Sequence, residues 1–459
     1  MLVIISDTHL TDGTSGHTVR AGAFRVFAQR LRDLAYDASW RADGRYEPIP
    51  ELHLVLLGDI LDVIRSAQWL GDAVRPWDDS QSEAFTGKVA AITAKILENN
   101  RASFAALKGL KDGRTVTVPP ANPDGTVGQV DWNPDAKGRI PVNVYTYYMV
   151  GNHDWFYHLR GEAYDKIRQS IVDVIGLDNP ANLPFPHDPT EFSLSSAFTR
   201  LQQEYANHRV FARHGDIYDA SNFDGDRDKS SLGDAVVIDL IDRFSPEVRR
   251  QLGAEVPPSF VKGLEEIDNV RPLSNIPAWI DGLLRQTCPD PVMAKKVKGV
   301  WNQVASDFFK VPFVHSHPNV ELANWAQQLT RSFSFAEFSA LVRKLGGLAN
   351  SSDRPNYTDA LHEQTFQNRT ARAIVYGHTH QYMLVPLESS IMPDGTLNQI
   401  YLNSGTWRPY HELAKRHPNE EEFVPYQIMT YLAFFKDGER GGRHYETWNG
   451  ALDLTLGRG

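Results

Sequence analysis

Five short stretches of this chain each follow an apolar run: Ser6-Asp7-Thr8-His9, Gly58-Asp59-Ile60-Leu61-Asp62, Gly151-Asn152-His153-Asp154, His214-Gly215-Asp216 and Gly377-His378-Thr379-His380. The runs before them, Leu2 to Ile5, Leu52 to Leu57, Val144 to Val150, Val210 to Ala212 and Ala373 to Val375, read as buried strands. Such a pattern predicts an α/β fold in which polar residues sit where strands end. In sheets of that kind, ligands gather in the crevice beyond the carboxyl ends of the strands, so distant segments can serve one point.

The donors on offer are carboxylates from Asp7 and Asp59, an amide oxygen from Asn152 and imidazoles from His9, His214, His378 and His380. Mixed oxygen and nitrogen donors suit Mn, Fe or Zn better than Mg²⁺ or Ca²⁺. The single cysteine, Cys288, excludes a cysteine-rich structural zinc site. If the loops are extended, positions i and i+2 face the same side, and Asp7 with His9, or His378 with His380, make two-pronged ligands. Seven donors are too many for one transition-metal ion and suit two. Two ions about 3.5–4 Å apart can share a bridging carboxylate, for which Asp59 is the choice, and a bridging hydroxide, and can stabilise both ends of a displacement at phosphorus. His153 is left over. As the neighbour of Asn152 in an extended segment it faces the other way, free to hold a phosphoryl oxygen or protonate a departing alkoxide, with Asp62 fixing its tautomer.

Taken together, these residues resemble the five-part signature of the calcineurin-like metallophosphoesterase superfamily: Asp-x-His, Gly-Asp, Gly-Asn-His-Asp/Glu, a histidine usually flanked by glycine, and Gly-His-x-His. The resemblance spans roughly residues 1–62, 144–220 and 371–410. It implies that Asp7, His9, Asp59 and His380 hold one ion and that Asp59, Asn152, His214 and His378 hold the other, with His153 acting on the leaving group and Asp62 behind it. It also implies a four-layer αββα sandwich and a phosphoester hydrolase with two divalent or trivalent transition-metal ions, Mn favoured over Fe or Zn. The His214-Gly215-Asp216 motif resembles that of the UDP-diacylglucosamine diphosphatases of the superfamily, from which the large insertions here depart.

At 459 residues the chain exceeds what one hydrophobic core usually supports, and one domain with large insertions fits better than separate domains. With 41% hydrophobic and 23% charged residues and no apolar run near the roughly 20 residues that cross a bilayer, a soluble protein is expected. A strand starting at Leu2 leaves no room for a leader, and one cysteine gives no disulfide framework, so a cytoplasmic location is expected. The net charge of −10 opposes non-specific binding to a polyanion. A phosphorylated small molecule or nucleotide-like substrate is therefore preferred over nucleic acid. The alternatives are a nuclease of the same superfamily, and a scaffold that kept the fold without catalysis.

The spacing of Phe24, Phe27, Leu31 and Leu34 predicts a helix over Ala23 to Trp40. About ninety residues then separate Asp59 from Gly151, where a compact strand-helix-strand step needs about thirty. Ser82 to Leu110 reads as helical and Thr115 to Ile140 as a loop or small hairpin, so about 63–143 is an inserted segment in a core of 1–224 and 369–459. A helical cap is predicted over 225–368, with helices at Leu232 to Leu252, Pro257 to Ile267, Pro277 to Gln286, Val292 to Phe309, Val320 to Thr330 and Phe335 to Leu345. Insertions beside a site usually shape access and substrate choice. Late strands are expected at Tyr382 to Leu387, Gln399 to Asn403, Ile428 to Phe435 and Arg443 to Trp448, forming a second sheet.

Several residues near the motifs carry two readings. Asp216 and Asp219 either orient imidazoles or serve turns. Arg408, in the loop after Asn403, either holds a phosphate oxygen or makes a surface ion pair. Trp155, Phe156, Tyr157 and His158 either stack on a base or bury an apolar helix face, the latter favoured. Arg227 and Lys229 belong by default to a solvated loop.

Overall fold

The computed structural model describes the chain apart from residues 130–132, 134, 135, 272, 318–355, 394, 417–421 and 453–459. The helices expected at 320–330 and 335–345 lie outside the described residues. The rest is a mixed α/β protein. Its strands are β1 (Leu2–Ile5), β2 (Glu51–Leu57), β3 (Thr117–Val118), β4 (Ile140–Pro141), β5 (Asn143–Met149), β6 (Val210–Ala212) and β7 (Val270–Arg271). Then follow β8 (Ala373–Tyr376), β9 (Met383–Met392), β10 (Gly395–Asn403), β11 (Tyr410–Leu413), β12 (Phe423–Tyr426), β13 (Ile428–Phe434) and β14 (Tyr445–Ala451).

A five-stranded sheet has the order β14-β13-β1-β2-β5, and a four-stranded sheet the order β6-β8-β10-β9. Within the first, β1, β2 and β5 are parallel; within the second, β6, β8 and β10 are parallel. Of the late strands, β9 and β10 join the expected second sheet, whereas β13 and β14 extend the first sheet beside β1. The reason lies in their apolar alternation. Leu432 and Phe434 of β13 fall on the same side as Leu2 and Ile4, while Met429, Tyr431 and Ala433 fall with Val3 and Ile5. A strand apolar on both faces must be covered on both.

The two sheets pack against each other. Leu2, Ile4, Val55, Leu57, Tyr147 and Met149 from one share a buried cluster with Val210, Ala212, Ala373, Val375, Ile400 and Leu402 from the other. The intervening residues of the first sheet, Val3, Ile5, Leu54, Leu56 and Tyr148, face helices α1 (Ala21–Ala38), α2 (Glu83–Asn99), α3 (Arg101–Gly109) and α4 (Glu162–Ile175). The inserted segment that carries α2 and α3 is thus built into the main core, and the two-residue strands β3 and β4 pair at the two ends of the stretch read as a loop or small hairpin. On the second sheet, Phe211, Ile374, Tyr376 and Tyr401 meet Ala360 and Phe366 from two short helices.

The larger insertion has its own core of Phe244, Val248, Phe260, Ile280, Val297, Trp301 and Val304. Its first helical run follows the expected 232–252, but residues Val236–Asp242 are wound as a π-helix. The further helices Pro258–Leu264, Ile276–Thr287 and Pro291–Phe308 match their expected positions closely. Through β7, which runs parallel to β11, the insertion is stitched to the segment after β10. No helix among the described residues is long and apolar enough to cross a membrane.

Leu402 is fully buried between the sheets. Leu402→Ala is expected to cost about 2–5 kcal/mol, because the sheets cannot close on the hole, and to lower the urea midpoint measured by circular dichroism.

Candidate metal centre

Each ligand loop leaves its strand through a sharp turn rather than by continuing extended. Of the eight non-glycine residues with positive φ among those described, five are Asp7, His9, Asp59, His378 and His380. The two-pronged pairs therefore arise from left-handed backbone at both prongs, not from the extended i, i+2 alternation, and the Asn152-His153 stretch is likewise a bend. A left-handed residue with a side chain costs on the order of 1–3 kcal/mol and persists where surroundings over-determine it, typically at functional sites. Glycines make room for the turns. A Cβ on Gly58, which has φ +83°, would lie 2.5 Å from His214 Nδ1, and one on Gly377 would lie 2.5 Å from Asp7 Oδ2.

The seven expected donors come together. Asp7, His9, Asp59 and His380 form one group whose ligand atoms lie within 4.8 Å of one another, and Asp59, His214 and His378 form a second. Asn152 joins the second group, its Oδ1 standing 3.0 Å from His378 Nδ1. Asp59 belongs to both: its Oδ2 is 3.7 Å from His9 Nε2 and 3.2 Å from His214 Nε2. His9 Nε2 and His380 Nε2 face each other at 2.8 Å, with Asp7 Oδ1 3.2 Å from the latter. Two further atoms fit a cation at this point. Asp7 Oδ1 and His214 Nε2 are buried without a hydrogen-bond partner, and both point into the donor cluster. An orphaned carboxylate oxygen beside an orphaned imidazole nitrogen is what cation ligation would satisfy.

Outer partners fix the rings. His9 Nδ1 is 2.7 Å from Asp62 Oδ2, His378 Nε2 is 3.0 Å from Asp219 Oδ2, and His214 Nδ1 donates to the Leu57 carbonyl at 2.9 Å. In each case one nitrogen is committed outward and the other is left to the interior, the usual way a protein orients a ligating imidazole. Burial opposes the charge on Asp7 and Asp59, yet the surrounding imidazoles hold both carboxyls below the ordinary range. Conversely, burial disfavours a proton on His214, but Asp59 and Asp7 more than offset this and hold it well above the usual imidazole range. A divalent ion competes with that proton for the Nε2 lone pair.

His153 stands beside the donors. Its Nδ1 is 2.8 Å from Asp62 Oδ1 and its backbone N–H donates to Asp59 Oδ1 at 2.8 Å. Asp62 is thus shared, one oxygen on His9 and the other on His153, where the sequence suggests only the second contact. Burial pulls the His153 pKa down, but Asp62 and Asp59 prevail and raise it to about 9.

Of the residues with two readings, Asp219 takes the orienting role and Asp216 does not: it pairs with Arg227, which also donates to the Gly151 carbonyl at 3.0 Å. Arg227 is accordingly buried and not a loop cation, whereas Lys229 is exposed. Arg408 is 1% exposed, which removes the surface ion pair; its Nε and Nη2 engage Asn269 and Asp268 of the insertion. Trp155, Phe156 and Tyr157 are buried in the main core, Phe156 stacked on both Trp69 and Trp155, as the apolar-face reading has it.

Asp154 is the residue missed. Its Oδ2 accepts from Ile60 N–H at 2.9 Å and from the Tyr148 hydroxyl at 2.6 Å, and its Oδ1 accepts from Gly151 N–H at 2.6 Å. It therefore ties the Asp59 loop to the Asn152 loop. Burial and the nearby Asp59 raise its pKa to about 6. The signal available was its place as last member of the Gly151 to Asp154 stretch. Ser6 is a second such residue: its hydroxyl bonds the Asp7 carboxylate and lies 2.6 Å from that of Ser404.

No protein-family model matches this chain, and no curated protein matches it.

Gly58→Ala is expected to displace His214 and lower bound metal at least tenfold at limiting metal, read by elemental analysis after dialysis. Because protonated His214 must lose its proton to bind an ion, metal uptake should release protons and weaken as pH falls. Calorimetric titration in buffers of different ionisation enthalpy measures the release.

Proposed function

We propose that the chain is a dinuclear metal-dependent phosphoester hydrolase with the four-layer sandwich of the calcineurin-like metallophosphoesterases, acting on a phosphodiester or diphosphate of small or medium, nucleotide-like size. The observation that carries this reading is the division of the donors into two groups that share Asp59, with a histidine held beside them and outside both. Asp7, His9, Asp59 and His380 would hold one ion and Asp59, Asn152, His214 and His378 the other, Mn²⁺ suiting the mixed set and Fe or Zn²⁺ close behind. When bound, such a pair supplies Lewis acidity toward a phosphoryl oxygen and an activated water.

The chain's own part is orientation and proton supply. Asp62 holds His9 and His153 from one carboxylate, so the ring that gives a proton to the departing alkoxide keeps a set position relative to the donor cage. The Asp62 carboxylate at His153 Nδ1 favours the protonated ring, as a general acid requires. The helical insertion reaches the same region: Asp268 pairs with Arg65 and Arg408, and Asp234 accepts from Trp155 Nε1 at 3.2 Å. That placement supports a role for the insertion in substrate choice.

At the seven-donor centre two ions are expected by elemental analysis of protein loaded with Mn²⁺ alone, with Asp59→Asn lowering occupancy at both positions; uptake of a single ion by the intact protein rejects the reading. His153→Ala should keep near-normal metal content and lose about 10²–10⁴ in rate, most for poor leaving groups. The pH dependence has a defined sign. A general acid is lost as pH rises through its pKa, so removing the Asp62 charge, which helps raise that pKa, should move the alkaline fall in kcat to lower pH in Asp62→Asn, measured as a pH-rate profile at saturating metal.

A further inference from the structure

A second group of donors lies outside the centre described above, between the Asn152 loop and the entry to the helical insertion. His158 closes the 3-10 turn Trp155–His158, and Glu191 lies in another, Pro189–Leu194, just after His187. One ligand atom from each of His158, His187 and Glu191 lies within 4.8 Å of the other two. We propose that these three residues form a mononuclear site for a borderline divalent cation, Zn²⁺ fitting best, independent of the seven-donor centre.

The argument rests on where each nitrogen is committed. His158 Nδ1 stands 2.6 Å from Asp228 Oδ1 and its Nε2 3.1 Å from Glu191 Oε1, so Asp228 holds the ring from outside while Nε2 is turned inward, where a bound cation would take the place of its proton. A carboxylate behind an imidazole is the arrangement that orients metal-ligating histidines. His187 Nδ1 is 3.2 Å from Glu191 Oε2, yet it is buried and makes no hydrogen bond. In a knot held by hydrogen bonds alone that nitrogen would donate or accept. The two rings stand edge to face with centroids 5.2 Å apart, so both nitrogens flank one carboxylate. Donors about 2.0–2.1 Å from a tetrahedral Zn²⁺ lie roughly 3.3 Å from each other; here His158 Nε2 and His187 Nδ1 lie 3.1 and 3.2 Å from the two different oxygens of Glu191, which sets its carboxylate between the rings. Glu191 is itself held, since His187 N–H donates to its Oε2 at 2.9 Å.

Two nitrogens and a carboxylate oxygen are a common zinc donor set, and they leave a position for water. An ion there would pin three segments. His158 follows the Asn152-His153 bend, His187 and Glu191 precede β6, and Asp228 adjoins Arg227, which reaches the Gly151 carbonyl. The site would thus clamp the loop that carries His153 to the start of the insertion, acting on that loop's position and not on the reacting atoms.

The test uses the full chain, stripped with chelator, dialysed against Zn²⁺ alone and assayed by elemental analysis. His187→Ala and Glu191→Gln should each bind one equivalent less than the unaltered protein, and Asp59→Asn should keep that equivalent while losing Zn²⁺ from the other centre. As a second readout, Co²⁺ loaded into the Asp59→Asn protein should give visible d–d absorption that falls by the share of one equivalent when Glu191→Gln is added. Glu191→Gln is nearly isosteric and decides the matter if His187→Ala does not fold. Folded Glu191→Gln protein that binds as much Zn²⁺ as the unaltered chain overturns the proposal. Failure of the dinuclear reading appears separately, as an Asp59→Asn protein that loses no metal.

Discussion

Asp7 and Asp59 are fully buried carboxylates at the ends of neighbouring parallel strands, each surrounded by imidazoles and at most a short step from the other. Taking ionised carboxylates out of water costs several kcal/mol apiece unless opposite charge is brought to them. Everything near the centre follows from that requirement. The imidazoles arrive from both sheets, His9 from beyond β1, His214 and the His378-His380 pair from beyond β6 and β8, so the charge balance holds only when the two sheets are packed face to face. The apolar layer between the sheets and the polar cluster at their rim are in this sense one structure.

The price of bringing so many loops to one point is visible in the backbone. Left-handed conformations at Asp7, His9, Asp59, His378 and His380 are individually unfavourable, and hydrogen bonds between loops hold them. His9 N–H donates to the Asp59 carbonyl at 2.9 Å and Asp7 N–H to that of Gly58 at 3.1 Å, while Asp154 binds amides of two loops at once. Further out, Asp62 and Asp219 fix rings, and Arg227 and Arg408 lock the insertion's own residues against the loops. The helical insertion is therefore coupled to the centre by buried ion pairs, which are costly to break one partner at a time.

Much of this was legible in the residues. The five apolar runs became strands at nearly the expected bounds, and α1 and the described helices of the insertion followed their apolar spacing and proline starts. The seven donors were legible because chemistry-bearing residue types clustered at strand ends. What was not legible depended on partners far away in the chain. The sequence places Arg408 in a loop but does not show that it meets Asp268 and Asn269, and nothing near Arg227 in the chain shows that it pairs with Asp216. The late strands had visible alternation, but nothing local states which sheet edge a strand will join.

By itself the sequence determined which groups the protein can bring to a metal centre and where along the chain the strands deliver them, because donor chemistry and periodicity are local properties. Tertiary structure alone decided how the donors divide into two groups about Asp59, that Asp62 serves two rings, that His158, His187 and Glu191 converge, and that left-handed turns rather than extended segments aim the paired ligands. Those are matters of distance between residues separated by up to hundreds of positions, and such distances are set by how two sheets and a helical insertion pack, a property no short stretch of residues contains.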